Sequence, residues 1–169
     1  MWLTTVRARR RLAQEKKLFS ANSEGEIPIC LVYPNRYPVG MSNLGFQAAY
    51  KILAQDPRCR CERAFLPDPD EAGVLQRTGT PLASLESQRP LLDFEVLAFS
   101  LSFETDYLHI LDILAAAHVP LLVQLPSEGN RAGSYTESAP DFAEAARPAR
   151  SNVPLAVAIP NRMTIPPAT

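Results

Sequence analysis

The residues with the best claim to chemistry lie in two short stretches. The first is "PNRYPVGMSNLGFQ", Pro34 to Gln47, which contains Asn35-x-Tyr37-x-x-Gly40 and then Met41-Ser42-Asn43-Leu44-Gly45. Gly40 and Gly45 allow the backbone to bend or to approach a ligand closely. Ser42 and Asn43, together with the first N–H groups of a helix, are suited to hold an anion or a cofactor amide. The plainer reading gives Gly a turn and Ser or Asn a helix cap, and residue types alone favour it. The second stretch is Ser100-Leu101-Ser102-Phe103-Glu104. Ser100 and Ser102 share one face of a strand and can line a pocket. Glu104 at the start of a helix is favoured by the macrodipole, which is a sufficient structural job.

Other chemistries are excluded by spacing. G-x-G-x-x-G is absent, as is the G-K-[ST] of a Walker loop. His109 and His118 are not an i, i+4 pair, so no zinc site is expected. The cysteines are Cys30, Cys59 and Cys61, an odd number without a disulfide or zinc pattern. On a strand, Cys59 and Cys61 point the same way, into a core, as small hydrophobes. No Ser/His/Asp set can be assembled, and "SLES", Ser84 to Ser87, resembles a capping box only in outline.

The elements that position these stretches follow from periodicity. Val6 to Ser20 reads as a basic helix. Ile27 to Val32 is apolar throughout, a strand covered on both faces. A helix starts at Ser42 or Asn43, with Leu44, Ala48, Ala49, Ile52 and Leu53 as its apolar face, and Asp56-Pro57 closes it. Arg58 to Leu66 is a second strand, Asp70 to Gln76 a short helix, and Phe94 to Phe103 the clearest strand. Glu104 to Ala117 is a helix, and Pro120 to Val123 a fourth strand. Strands alternating with connections of ten or more residues imply parallel pairing through right-handed crossovers. The expected fold is a three-layer α/β, Rossmann-like or flavodoxin-like open parallel sheet of about five strands. In such sheets ligands bind beyond the carboxyl ends of the strands, where the strand order reverses.

The organisation reads as a basic N-terminal helix over residues 1–25, an α/β domain over 26–125, a linker over 126–152 and a last strand with a tail over 153–169. The linker is rich in Pro, Ser, Ala and Gly, and "VPLAVAI" is the last strand. No helix follows it, so the sheet reads as incomplete at its C-terminus. The chain has 169 residues, 46% hydrophobic and 21% charged, with a net charge of −1. That composition is globular, and it predicts no strong pull toward nucleic acid or anionic lipid. The six basic residues from Arg7 to Lys17 read as a solvated or packing helix face. There is no run of about 18 apolar residues and no secretory signal, and reduced thiols fit the cytoplasm.

The blocks "PICLVYPNRYPVGMSNLGFQAAYKILAQ", "CERAFLPDP", "PLASLESQRPLLDFEVLAFSLSFETDY" and "ILDILAAAHVPLL" resemble, in that order, the N-terminal region of a large family of uncharacterised radical SAM proteins. The resemblance runs from about Ile27 to Leu122. It implies a cobalamin-binding-like domain ahead of a radical SAM barrel, with cobalamin as its ligand. Cobalamin domains carry Asp-x-His-x-x-Gly after the first strand, and the register here gives Asn35, Tyr37 and Gly40. The Gly is kept; the cobalt-ligating His is not, and a phenol is a poor replacement. Ser100 matches a Ser-x-Leu element, with Ser102 in place of its Leu. Ile159-Pro160 stands where a Gly-Gly pair is usual. The family's iron–sulfur cluster needs Cys-x-x-x-Cys-x-x-Cys, which is absent, so the cluster and S-adenosylmethionine are assigned to the barrel. The chain is therefore expected to be an accessory domain, a fragment or truncated form that is not catalytic alone and meets the barrel in cis. The alternative is an interaction module with no ligand.

Overall fold

The structure, a computed structural model, describes residues 2–16, 18–119 and 156–160. Contacts divide the chain into two units, residues 1–121 with 154–169, and residues 122–153. All described residues belong to the first. Its elements are α1 (Trp2–Gln14), β1 (Ile27–Tyr33), α2 (Tyr37–Ser42), α3 (Leu44–Gln55), β2 (Cys59–Phe65), α4 (Pro69–Thr78), β3 (Val96–Ser100), α5 (Asp106–Ala116) and β4 (Ala156–Pro160), with a 3-10 turn at Leu91–Asp93.

The strand order is β2-β1-β3-β4. β1 pairs in parallel with both β2 and β3. The chain steps from β1 to β2 on one side and then crosses back to β3 on the other. Right-handed crossovers running in opposite directions must put their helices on opposite faces, and the two cores agree with that. On one face Cys30, Val32, Ala64, Leu97 and Phe99 pack under Leu75 of α4 and Ile113 and Leu114 of α5. On the other, Ile29, Leu31, Cys59, Cys61, Phe65 and Ala98 pack under Ala8 of α1 and Phe46 and Ala54 of α3. Cys59 and Cys61 do share a buried face, and all three cysteines are free.

The last strand differs from the expected parallel arrangement. β4 runs antiparallel to β3, pairing Ala98 with Ala158. Antiparallel edge strands are common on otherwise parallel sheets, and among the described residues β4 is paired only with β3. The expected strand at Pro120 to Val123 and the linker at 126–152 lie outside the described residues.

Local chemistry sets the element ends. Asn43 caps α3, its side-chain oxygen accepting from Phe46 N at 2.9 Å. In α4, Pro69 occupies the first turn, and Glu71 reaches back to accept from Asp68 N at 3.0 Å. Gly79, at φ 61°, then stops that helix in a left-handed turn that glycine adopts without strain. α1 ends at Gln14, short of Ser20. Its Arg7 pairs with Asp70 at 2.6 Å and its Arg11 with Asp68 at 2.8 Å, so these two cations are engaged within the molecule. Among the described residues no helix is long and apolar enough to cross a membrane.

Candidate functional site

The strand order reverses at β1, so the crevice of interest opens where the carboxyl ends of β1 and β3 meet. Residues from both expected stretches do come together there. Asn43 Nδ2 donates to Ser102 Oγ at 3.0 Å and to Tyr33 Oη at 3.3 Å. Beneath this bridge, Asp106 is fully buried and Ser100 is 3% exposed. One Asp106 oxygen accepts from Ser102 N at 2.8 Å and from Phe103 N at 2.9 Å. The other, Oδ1, and Ser100 Oγ are the buried side-chain oxygens without a hydrogen-bond partner among the described residues. His109 of α5 donates from Nδ1 to the Pro34 carbonyl at 2.9 Å, tying that helix to the end of β1.

The role expected of Glu104 belongs to Asp106. The helix begins two residues later than its sequence pattern suggests, and Glu104 lies exposed in the turn before it. Phe103 is likewise outside the strand and 59% exposed. Ser102 also lies past the strand end and is exposed, while Ser100 is buried, so the two serines do not line one pocket wall.

The segment expected to be a loop is the short helix α2, and its winding sends its side chains in different directions. Asn35 makes a turn: its side-chain oxygen accepts from Arg36 N at 2.8 Å, and its carbonyl accepts from Leu66 N. Ser42 Oγ donates to the Val39 carbonyl and stays exposed. Gly45 lies in the first turn of α3. Gly40 is needed for a close approach, but the approaching group is the protein itself. A Cβ there would fall 2.5 Å from Phe65 Cε1.

Tyr37 and Met41 join a different cluster, built on β2. Arg63 is 3% exposed. Its Nε donates to Glu86 at 2.7 Å, its Nη2 to Glu15 at 2.8 Å and its Nη1 to Met41 Sδ at 3.2 Å. The guanidinium lies 4.5 Å from the Tyr50 ring centroid. Tyr37 Oη donates to the second Glu15 oxygen at 2.8 Å, and its ring packs edge-on against Phe65. Burial and the Glu15 carboxylate push the Tyr37 phenol up to about 12. Burial raises the Glu86 carboxyl, an effect that Arg63 partly offsets. On the opposite face, Glu62 accepts from Ser84 Oγ at 2.6 Å and from Ser87 Oγ at 2.7 Å. "SLES" is therefore the partner loop of β2, not a helix cap.

Arg63, Glu15 and Glu86 were not singled out by spacing, although one signal was present. In "CRCERAF" the strand period puts Cys59, Cys61, Arg63 and Phe65 on one face. A cation on an inward face requires buried partners. The partners themselves come from 48 and 23 residues away, so no local pattern names them.

A corrinoid does not fit these residues as a cobalt-ligated group. The side chain at the histidine register is Tyr37, whose hydroxyl is given to Glu15, and the space above Gly40 holds the Phe65 ring. The described residues contain no cluster of three or more His, Cys, Asp or Glu able to hold a metal. Cys30 faces one core while Cys59 and Cys61 face the other, and burial raises all three thiols. They cannot converge on a cluster.

Comparison with known families adds one finding. The family model for the N-terminal region of radical SAM proteins matches residues 45–129, half of the chain. The match takes in Gly45, Ser100, Ser102 and Glu104, and starts after β1 and the Asn35–Asn43 segment. No curated protein and no solved structure matches.

Proposed function

The chain belongs to the family of radical SAM N-terminal regions, and from that premise we propose that it is an accessory, non-catalytic domain of Rossmann-like design with a degenerate cobalamin-binding-like layout. The β2-β1-β3 parallel order supports the Rossmann-like reading. The carrying observation for degeneracy is the double filling of the corrinoid site: Tyr37 bonded to Glu15, and Phe65 packed onto Gly40. The strand-end surface, Ser42 and Asn43 with Ser102 to Glu104, meets the radical SAM barrel in cis in a cytoplasmic protein. That barrel would hold an iron–sulfur cluster and S-adenosylmethionine, which would supply the radical chemistry. Arg7 and Arg11 are spent on acidic partners, which weighs against nucleic acid as a partner.

The test is addition of hydroxocobalamin to the purified chain, followed by gel filtration. The expected result is an unchanged corrinoid absorbance spectrum and no co-elution. A shifted spectrum with retained corrinoid overturns the degenerate reading. A second reading, an interaction module with no ligand ancestry in use, draws on the apolar rim of the crevice. Leu44 is 80%, Phe103 59% and Tyr107 55% exposed there. Such side chains gather at protein contacts.

A further inference from the structure

A cavity of about 530 Å³ lies on the α1–α3 side of β2, away from the strand-end crevice, with Arg63, Glu86 and Tyr50 among its lining residues. The volume falls within the range of small-molecule pockets. Arg63 is an anchored donor there. Two of its nitrogens are held by Glu86 and Glu15, and its plane rests on Tyr50. The third, Nη1, has the Met41 thioether as its recorded partner, at 3.2 Å. A thioether is a weak acceptor, whereas a guanidinium carries five N–H donors. An oxygen placed at Nη1 makes a stronger, charge-assisted bond.

The remaining lining sets the shape and charge of what fits. Phe19 and Tyr50 stand with ring centroids 5.7 Å apart, and both line the cavity. Tyr50 has a face against the Arg63 guanidinium and touches Phe19 at a tilt, so the half-buried Phe19 ring supplies the apolar surface for a flat body. Among the described residues the lining charges are Glu15, Glu86, Arg63 and Lys16, which sum to zero. An added anion meets two carboxylates, and an added cation meets a fixed guanidinium. We infer that this cavity binds a small, neutral, planar molecule whose carbonyl oxygen accepts from Arg63 Nη1. The inference goes beyond the accessory-domain reading and does not depend on it.

Three probes of one size and different charge test it: benzamide, benzoate and benzylammonium, titrated into the isotope-labelled 169-residue chain and followed by NMR. Benzamide is expected to shift the Arg63 Nε–H and Gln47 side-chain signals, with affinity several-fold above the other two. Phe19→Ala, at a half-buried position outside the ion cluster, is expected to weaken benzamide by about fivefold, the scale of one aromatic contact. Met41→Leu removes the competing sulfur and is expected to leave affinity at least equal to the parent's. Three results overturn the inference: no probe moving those signals, benzoate or benzylammonium binding as tightly as benzamide, or Phe19→Ala binding unchanged. A fall in affinity in Met41→Leu removes Nη1 as the anchor. Cobalamin retention tests the accessory reading separately, so the two can fail independently.

Discussion

The strand-end crevice and the Arg63 cluster lie on the same molecule and manage buried polarity in opposite ways. The crevice is open. Its bridging bond, Asn43 to Ser102, is solvent-exposed, and two buried oxygens beneath it lack partners among the described residues. In the Arg63 cluster the polar groups are paired, with only a thioether, Met41 Sδ, at Arg63 Nη1. Both oxygens of Glu15 and of Glu86 accept hydrogen bonds. A buried charge left unpaired is costly, so a network of this kind holds as a unit or fails as a unit. A crevice whose polar groups are still unspent can change partners at small cost. The difference separates a surface available for contact from an internal clamp joining the α1 end, β2 and the Ser84–Ser87 loop.

The strongest attack on this contrast is Arg63→Met. It strands two carboxylates in the interior and is expected to destabilise the fold by about 3–5 kcal/mol, read from urea denaturation. Adding Glu15→Gln and Glu86→Gln to the same chain is expected to recover part of that loss. A loss under about 1 kcal/mol, the scale of an exposed ion pair, would show that the cluster is not a clamp.

Next is Gly40→Ala, where the new methyl meets Phe65 at 2.5 Å. Overpacking of this kind costs about 1–3 kcal/mol. Pairing it with Phe65→Leu is expected to relieve the strain. A gain of corrinoid binding in that double variant would show that Phe65 alone closes the proposed corrinoid site.

In the open crevice, Asn43→Ala removes the α3 cap and the bridge to Ser102 together. The expected cost is about 1 kcal/mol, almost all from the cap. The cap-retaining Asn43→Asp is expected to stay near the parent, as thermal unfolding of both variants would report. A cost of 3 kcal/mol or more, comparable to that of Arg63→Met, would abolish the distinction between the two regions.

The smallest effect is a pH dependence. Tyr37 is held at about 12 in the fold against the usual 10. The folded state therefore keeps the proton longer than the unfolded chain. The stability this contributes is fully present below about pH 10 and disappears as pH rises to about 12. The phenolate absorbance lost in Tyr37→Phe is expected to titrate near pH 12. Titration near 10 would mean that neither burial nor Glu15 holds the hydroxyl.

Much of the layout was legible in the residues. The apolar run Ile27 to Val32, the alternation of Cys59 and Cys61, and the crossover-length spacings led to a parallel core with helices on both faces. They also led to the meeting of the Tyr37 and Ser102 turns, a contact that the structure makes through Asn43 while Tyr37 turns away to Glu15. Helix starts were harder to place. Tyr37–Ser42 read as a loop because Pro38 and Gly40 are breakers in isolation, yet Pro is tolerated in a first turn. Glu104 read as the helix-start acid, yet the turn places it in solvent and Asp106 inside.

What this sequence determined alone was everything governed by neighbours a few positions apart: strand faces, a helix cap at Ser42 or Asn43 and the absence of a cluster-binding cysteine motif. These depend on local backbone geometry, which residue type and spacing encode directly. Tertiary structure decided where Tyr37 points, what fills the space above Gly40, which acid is buried and what surrounds Arg63. Each depends on groups brought from distant parts of the chain, and only the packed fold sets those distances.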